Sequence, residues 1–204
     1  MLKKRLLTIA SLVSTKSVVD VGCDHGYLDI YLTKKNIHCT ATDISEKSLK
    51  KAIDNFKKYN LKIDTILTDG LNNVSIKKED TIIISGMGCD TIIKILNKKM
   101  NNDLIISSNN NTEKLRRYIV NLGYIIAVEK FVLENNKGYV IIKFVKGNKK
   151  YTDLDYIIGP VIDDKVYFNY LLSKYEKIFK KIPNFYLNKR NYYKMLIEEL
   201  KKRI

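Results

Sequence analysis

Residues 18–27 read Val-Val-Asp-Val-Gly-Cys-Asp-His-Gly-Tyr, and a second acid, Asp43, follows 21 positions after Gly22. An apolar run that stops at an acid-x-glycine turn is how the first strand of an open α/β sheet offers its backbone to a ligand. A carboxylate at the tip of the second strand can then grip ribose hydroxyls. The turn departs from G-x-G-x-x-G, because Asp24 stands where a dinucleotide-binding fold places glycine. Its charge would repel a pyrophosphate at the helix start. An adenosyl ligand without phosphates, carrying a sulfonium cation, suits the turn better, so S-adenosylmethionine is the expected cofactor.

The pattern around this turn extends it into a sheet. Strand-like runs at 17–21, 38–42, 63–67, 81–85 and 103–107 alternate with amphipathic stretches at 27–35, 46–58, 90–99 and 112–122. That rhythm predicts a parallel sheet with helices on both faces. Ser45-Glu46-Lys47-Ser48 and Thr112-Glu113-Lys114-Leu115 read as helix starts. Two β-rich runs, 124–133 and 139–145, then flank an Asn/Gly turn and predict an antiparallel hairpin. Such a hairpin after a parallel sheet belongs to class I methyltransferases and is missing from ordinary dinucleotide-binding domains. Gly147-Asn148-Lys149-Lys150 is a polar exit from that domain.

Beyond Gly159-Pro160 the periodicity is helical. Phe168, Leu171, Tyr175, Ile178 and Ile182 keep one stripe, and Tyr193, Ile197, Leu200 and Ile204 keep another, with Pro183-Asn184 between them. An antiparallel helix pair of coiled-coil type follows. The expected architecture is an α/β class I methyltransferase domain with a Rossmann-like sheet over 1–158 and a helical coiled-coil domain over 159–204. At the start of the chain a basic end precedes an apolar centre, as in a signal peptide. Leu2, Leu6, Ile9 and Val13 nonetheless fall at helical spacing and favour a structural amphipathic helix.

No apolar run approaches the roughly 20 residues of a membrane span. Cys23, Cys39 and Cys89 form neither an even framework nor a C-x-x-C pair, so a reduced cytoplasmic protein without a metal centre is expected. The formal charge of +15, from 37 Lys+Arg against 22 Asp+Glu, attracts polyanions, nucleic acid ahead of membrane. Part of that excess reflects AT-rich coding, since lysine far outnumbers arginine and tryptophan is absent.

Candidate site residues gather at the strand tips. The first strand offers Asp20, Gly22, Cys23, Asp24, His25 and Gly26, and the second Asp43 and Ile44. The third leads to Asp69-Gly70, able to read an adenine edge, and the fourth to Ser85-Gly86-Met87-Gly88, whose glycines permit close approach of an acceptor. Taken singly these have plainer readings: Asp43 as a helix cap, Asp69-Gly70 as a turn, Met87 as packing. His25 reads as an orienting imidazole, a general base or a metal ligand. Cys89 could be a nucleophile of the kind that serves pyrimidine C5 methylation, but no proline accompanies it.

Residues 19–28, Asp69-Gly70-Leu71 and Ile84-Ser85-Gly86-Met87-Gly88 resemble the bacterial tRNA (adenine-22-N1)-methyltransferases, often called TrmK. The similarity continues through Lys137-Gly138-Tyr139 and Gly159-Pro160 and so covers nearly the whole chain. It implies methylation of adenine N1 in the D-loop region of tRNA, by a Rossmann-like domain carrying a C-terminal coiled coil. Two departures stand out: Cys89 replaces a further glycine after G-M-G, and Ser107-Ser108-Asn109 stands where the family shows Gln-Pro-Asn. Asn109 alone carries over from that second motif. Asp24 is the expected catalytic carboxylate, or else positions the methionine end of the cofactor, with His25 and Asn109 behind it. Lys4, Arg5, Arg116 and Tyr139 are expected to contact tRNA, and the protein is expected to act as a monomer.

Overall fold

The computed structural model describes residues 2–97 and 100–204. Among these, β1 (Ser17–Val21), β2 (His38–Asp43), β3 (Asp64–Leu67), β4 (Thr81–Met87), β5 (Leu104–Ser108), β6 (Tyr124–Glu134) and β7 (Lys137–Lys146) form one sheet. The spatial order is β3-β2-β1-β4-β5-β7-β6. β1 through β5 pair in parallel, and β7 joins β5 and β6 antiparallel. The chain order reverses between β1 and β4, where open α/β sheets bind their ligands.

All five residues of β1 are buried, as a central strand covered on both faces requires. Val19 and Val21 join one cluster with Ile82, Ile84, Leu104 and Ile106, whereas Val18 joins another with Ile83 and Ile105. The period of two therefore divides each strand between two cores. Helices α1 (Lys4–Leu12), α2 (Tyr27–Thr33) and α3 (Glu46–Lys58) cover the second face, through Ile9, Leu32 and Phe56. Helices α4 (Cys89–Ile95) and α5 (Thr112–Asn121) cover the first, through Ile92, Leu115 and Ile119. The N-terminal segment is thus an amphipathic helix seated on the sheet.

Ser45 starts α3 by accepting the Ser48 amide at 3.2 Å, as its position predicts. The helix expected over 90–99 ends at Ile95, and Lys98 and Lys99 lie outside the described residues. The hairpin turns through Asn135 and Asn136, both at positive φ, between the paired residues Glu134 and Lys137. Asparagine tolerates that left-handed conformation, which matches the strand twist.

One helix was not foreseen. α6 (Asp153–Ile158) starts on a capping box in which Thr152 and Asp155 satisfy each other's amides. Helices α7 (Lys165–Lys180) and α8 (Leu187–Lys201) then form the expected pair. Ile158, Ile162, Tyr167, Phe168, Leu171 and Leu200 make its core, packed against Phe131 and Val140 of the hairpin. Leu196 is buried in α8 whereas Ile204, placed on the stripe by periodicity, is 38% exposed.

Candidate active site

A cavity of about 540 Å³ opens at the carboxyl ends of β1, β2 and β4. The amides of Gly22 and Cys23 both donate to the Thr42 carbonyl, at 2.8 and 2.9 Å, and so fold the first turn across β2. Asp43 finishes the job: Oδ2 accepts the Asp24 amide at 3.0 Å and Oδ1 the Ser45 amide at 2.8 Å. Asp43 is therefore a buried strand-tip carboxylate on the cavity wall, and the cap of α3 is Ser45. Gly22 has a φ of +79°, and a Cβ there would strike the Met87 methyl. Side-chain-free backbone at this point leaves the cradle open to a ligand.

Cys23, Ile44, Asp69, Gly70, Ser85, Gly86 and Met87 also line this cavity. Gly26 and Gly88, also expected at the cofactor, are not among the residues that line this cavity. A Cβ on Gly26 would strike Phe56, so this glycine serves the packing of the turn against α3. Gly88 precedes α4 and faces the Asn110 amide.

The wall is acidic. Asp20, Asp24, Asp43 and Asp69 line it, and Arg5 is its Lys/Arg cation among the described residues. Burial raises the Asp20 carboxyl from 3.8 to about 7, offset by a hydrogen bond with Asp29, reinforced by Asp43 and offset again by Arg5. Asp29, fully buried on α2, is pushed up by the same loss of water and by Asp20. Neither Asp29 oxygen meets a hydrogen-bond donor among the described residues, and burial beside Asp20 favours its protonated form. Asp24 is exposed, at positive φ, with its Oδ1 3.6 Å from His25 Nε2. His25 in turn stacks on Tyr27 at 5.8 Å. This donor set fits a cationic adenosyl cofactor and opposes a phosphate.

β4 breaks register with β5 between Ser85 and Met87, and Gly86, at φ +83°, bulges into solvent there. The Asn109 side chain donates to the Gly86 carbonyl at 2.6 Å, and its backbone amide donates to the Met87 carbonyl at 2.8 Å. Asn110 Oδ1 accepts the Cys89 amide and so caps α4. The Arg5 guanidinium reaches toward Gly86 and lies 5.1 Å from the Tyr139 ring centre. Arg5, Gly86, Asn109 and Tyr139, separated by up to 134 residues, therefore share one rim.

A methyltransferase-domain family profile matches residues 2–142. A candidate tRNA methyltransferase of Mycoplasma genitalium is 35% identical over 78% of each chain. Among solved structures, TrmK of M. capricolum in complex with S-adenosyl-homocysteine is 31% identical, with a TM-score of 0.83 over 99% of this chain and 97% of that one. A candidate tRNA (m1A22) methyltransferase from Streptococcus pneumoniae is 29% identical, with a TM-score of 0.87 over 100% and 99%. This chain belongs to the TrmK family.

Within this TrmK chain the structure corrects one expected tRNA contact. Arg116 is fully buried: its Nε donates to Glu129 Oε1 at 2.7 Å and its Nη1 to the Tyr156 carbonyl at 2.8 Å. An arginine between Leu115 and Arg117 on an amphipathic helix gave no sign that it faces inward to clasp β6 and α6. Lys4 is exposed on α1, beside the hairpin residues Phe131–Leu133 and outside the cavity. Cys89 is also buried, and burial raises its thiol further from the nucleophilic thiolate. No three His, Cys, Asp or Glu side chains gather as metal ligands among the described residues. Sequence reasoning missed Asp29 and the wall contributed by Thr91 and Ile95 of α4. An acid inside Tyr27-Leu28-Asp29-Ile30-Tyr31-Leu32 was the available signal for the first.

Proposed function

We propose that this chain methylates N1 of adenine 22 in the D-loop region of tRNA, using S-adenosylmethionine. The observation that carries this reading is the acidic, glycine-turned cavity whose mouth is framed by Gly86, Asn109, Arg5 and Tyr139. The similar S. pneumoniae protein, a candidate tRNA (m1A22) methyltransferase, supports the same target. Asp43 would hold the ribose, the turn at Gly22 would receive the methionine end, and Asp69-Gly70 would meet the adenine. When bound, the cofactor supplies an electrophilic methyl group.

The target nitrogen of neutral adenine carries a lone pair and no proton, so the protein need not remove one. Its work is alignment and exclusion of water. Asn109, tied to the Gly86 carbonyl, fixes the rim against which the base would seat. N1 methylation leaves a cationic base, and the exposed Asp24 carboxylate, 3.6 Å from His25, would favour that charge, with His25 orienting it. Extracting the adenine from its stack costs a few kcal/mol, met by contacts to the surrounding RNA.

Residues 1–158 would hold the cofactor, and the basic pair of helices over 159–204 would hold the RNA. We read the protein as a cytoplasmic monomer. Labelled S-adenosylmethionine incubated with the full chain and tRNA bearing adenine or guanine at position 22 tests the target. Incorporation is expected only with adenine; equal incorporation into both would reject it.

A further inference from the structure

A second cavity, of about 460 Å³, lies on the other side of Asn109, between the tip of β5, the hairpin and the helical pair. Asn109 and Asn110 form the partition. They line this cleft and at the same time bond to Gly86 and Cys89 behind the rim of the first cavity. Tyr139 stands between cations of the two spaces: Arg5, on the wall of the first, lies 5.1 Å from its ring centre, and Lys137, on the wall of the second, 5.2 Å. A cationic strip thus links the cleft to the place where the target base would enter.

Its walls are aromatic. Tyr170, Tyr175, Tyr192 and Tyr193 contribute rings, with Tyr175 and Tyr192 each set edge-on to Tyr193 at 5.8 and 5.3 Å. Tyr192 is 41% exposed, and so leaves much of its ring unused by the protein core. Lys137 and Lys174 flank the opening, against a single acid, Glu113, which is held by Arg117. Aromatic faces beside lysines are how proteins take up unstacked nucleotides, the ring receiving the base and the cation its phosphate. The volume is within the range of small-ligand sites.

We propose that this cleft is a second nucleotide subsite, which receives an unstacked base and phosphate of the RNA next to the target adenine. The proposal rests on the reading of the protein as a tRNA methyltransferase. It adds that the helical pair grips RNA through tyrosine stacking as well as through charge. A base drawn into the cleft would hold the strand open while its neighbour occupies the first cavity. Asn109 would stand between the two bases and divide them.

The test uses the full chain and a tRNA transcript carrying adenine at position 22. Tyr192→Ala and, separately, Lys174→Ala are measured beside Tyr192→Phe, which keeps the ring. Stacking of one base predicts a rise of roughly tenfold in the tRNA KM and Kd for Tyr192→Ala. Lys174→Ala should give a smaller rise that shrinks as salt increases. Tyr192→Phe should remain near wild type, and the affinity for S-adenosylmethionine should be unchanged in all three. A KM and Kd within twofold of wild type for Tyr192→Ala would overturn the subsite. Equal weakening of tRNA and cofactor binding would also overturn it, by making the tyrosine part of the scaffold. If adenine 22 is not methylated by the wild type but Tyr192→Ala still weakens tRNA binding, the target assignment fails and the subsite stands.

Discussion

The cavity at the tips of β1, β2 and β4 is walled by backbone turns and carboxylates, whereas the cleft beside the helical pair is walled by tyrosines and lysines. The first excludes phosphate by charge, and the second is suited to attract it. The two are divided by Asn109 and Asn110, just after β5. On the proposed reading, cofactor and nucleic acid would be sorted by electrostatics before any specific contact is made. The cavities also differ in how they are held. Hydrogen bonds between neighbouring strand tips hold the first, and the second depends on docking the helical pair onto the hairpin, next to the fastening of α5 to β6 and α6 by Arg116.

The largest effect should come from that fastening. Arg116→Ala leaves Glu129 buried without its partner, and should cost about 3–5 kcal/mol of stability. Thermal melting would record the loss. Cofactor affinity of the protein that remains folded should change little, and a selective loss of cofactor binding would erase the distinction between the two cavities.

Next, Asp43→Ala should lower cofactor affinity roughly 10- to 100-fold, because it removes a charged acceptor and frees the turn at Asp24. Calorimetric titration with S-adenosyl-homocysteine measures this; tRNA binding should be spared. Asp24→Asn should reduce kcat about tenfold or more while the cofactor Kd stays within a few-fold. An unchanged kcat would remove Asp24 from the chemistry.

The smallest effect concerns Asp20 and Asp29. Their folded-state carboxyls hold protons more tightly than those of the unfolded chain. Between about pH 4 and pH 7 the folded state therefore binds more protons, and stability from this pair falls as pH rises. Asp29→Asn should flatten that slope and raise stability at neutral pH by on the order of 1 kcal/mol. Denaturant titrations at pH 5 and pH 7 would show it, and an unaltered pH slope would reject the raised affinity of this pair for protons.

The same contrast explains what could be read in advance. β1 through β5, the hairpin and the first cavity are written in contiguous segments: Val18–Tyr27, Asp43, Asp69-Gly70 and Ser85–Gly88 each carry a strand end and its turn together. The order of those segments suffices to bring them to one edge, since parallel crossovers allow few arrangements. Gly26 marks a limit of such reading, because a glycine that packing requires looks the same as one that a ligand requires. Arg116 misled because burial of a cation depends on Glu129 and the α6 carbonyls, partners that α5 itself does not encode. α6 escaped notice because one short helix offers little periodicity, although Thr152 and Asp155 held its capping box. The tyrosine cleft was beyond reach for a similar reason: its rings come from α7 and α8, and its floor from β5 and β7.

The central claim is that the rim of Gly86 and Asn109 presents adenine N1, and no other atom, to the methyl donor. Nucleoside mass spectrometry of tRNA treated with the full chain and S-adenosylmethionine, joined with reverse-transcription mapping, tests it directly. The account predicts 1-methyladenosine and a transcription stop at position 22, both lost when that adenine is replaced. A methyl group on another base, or on adenine N6, would contradict it.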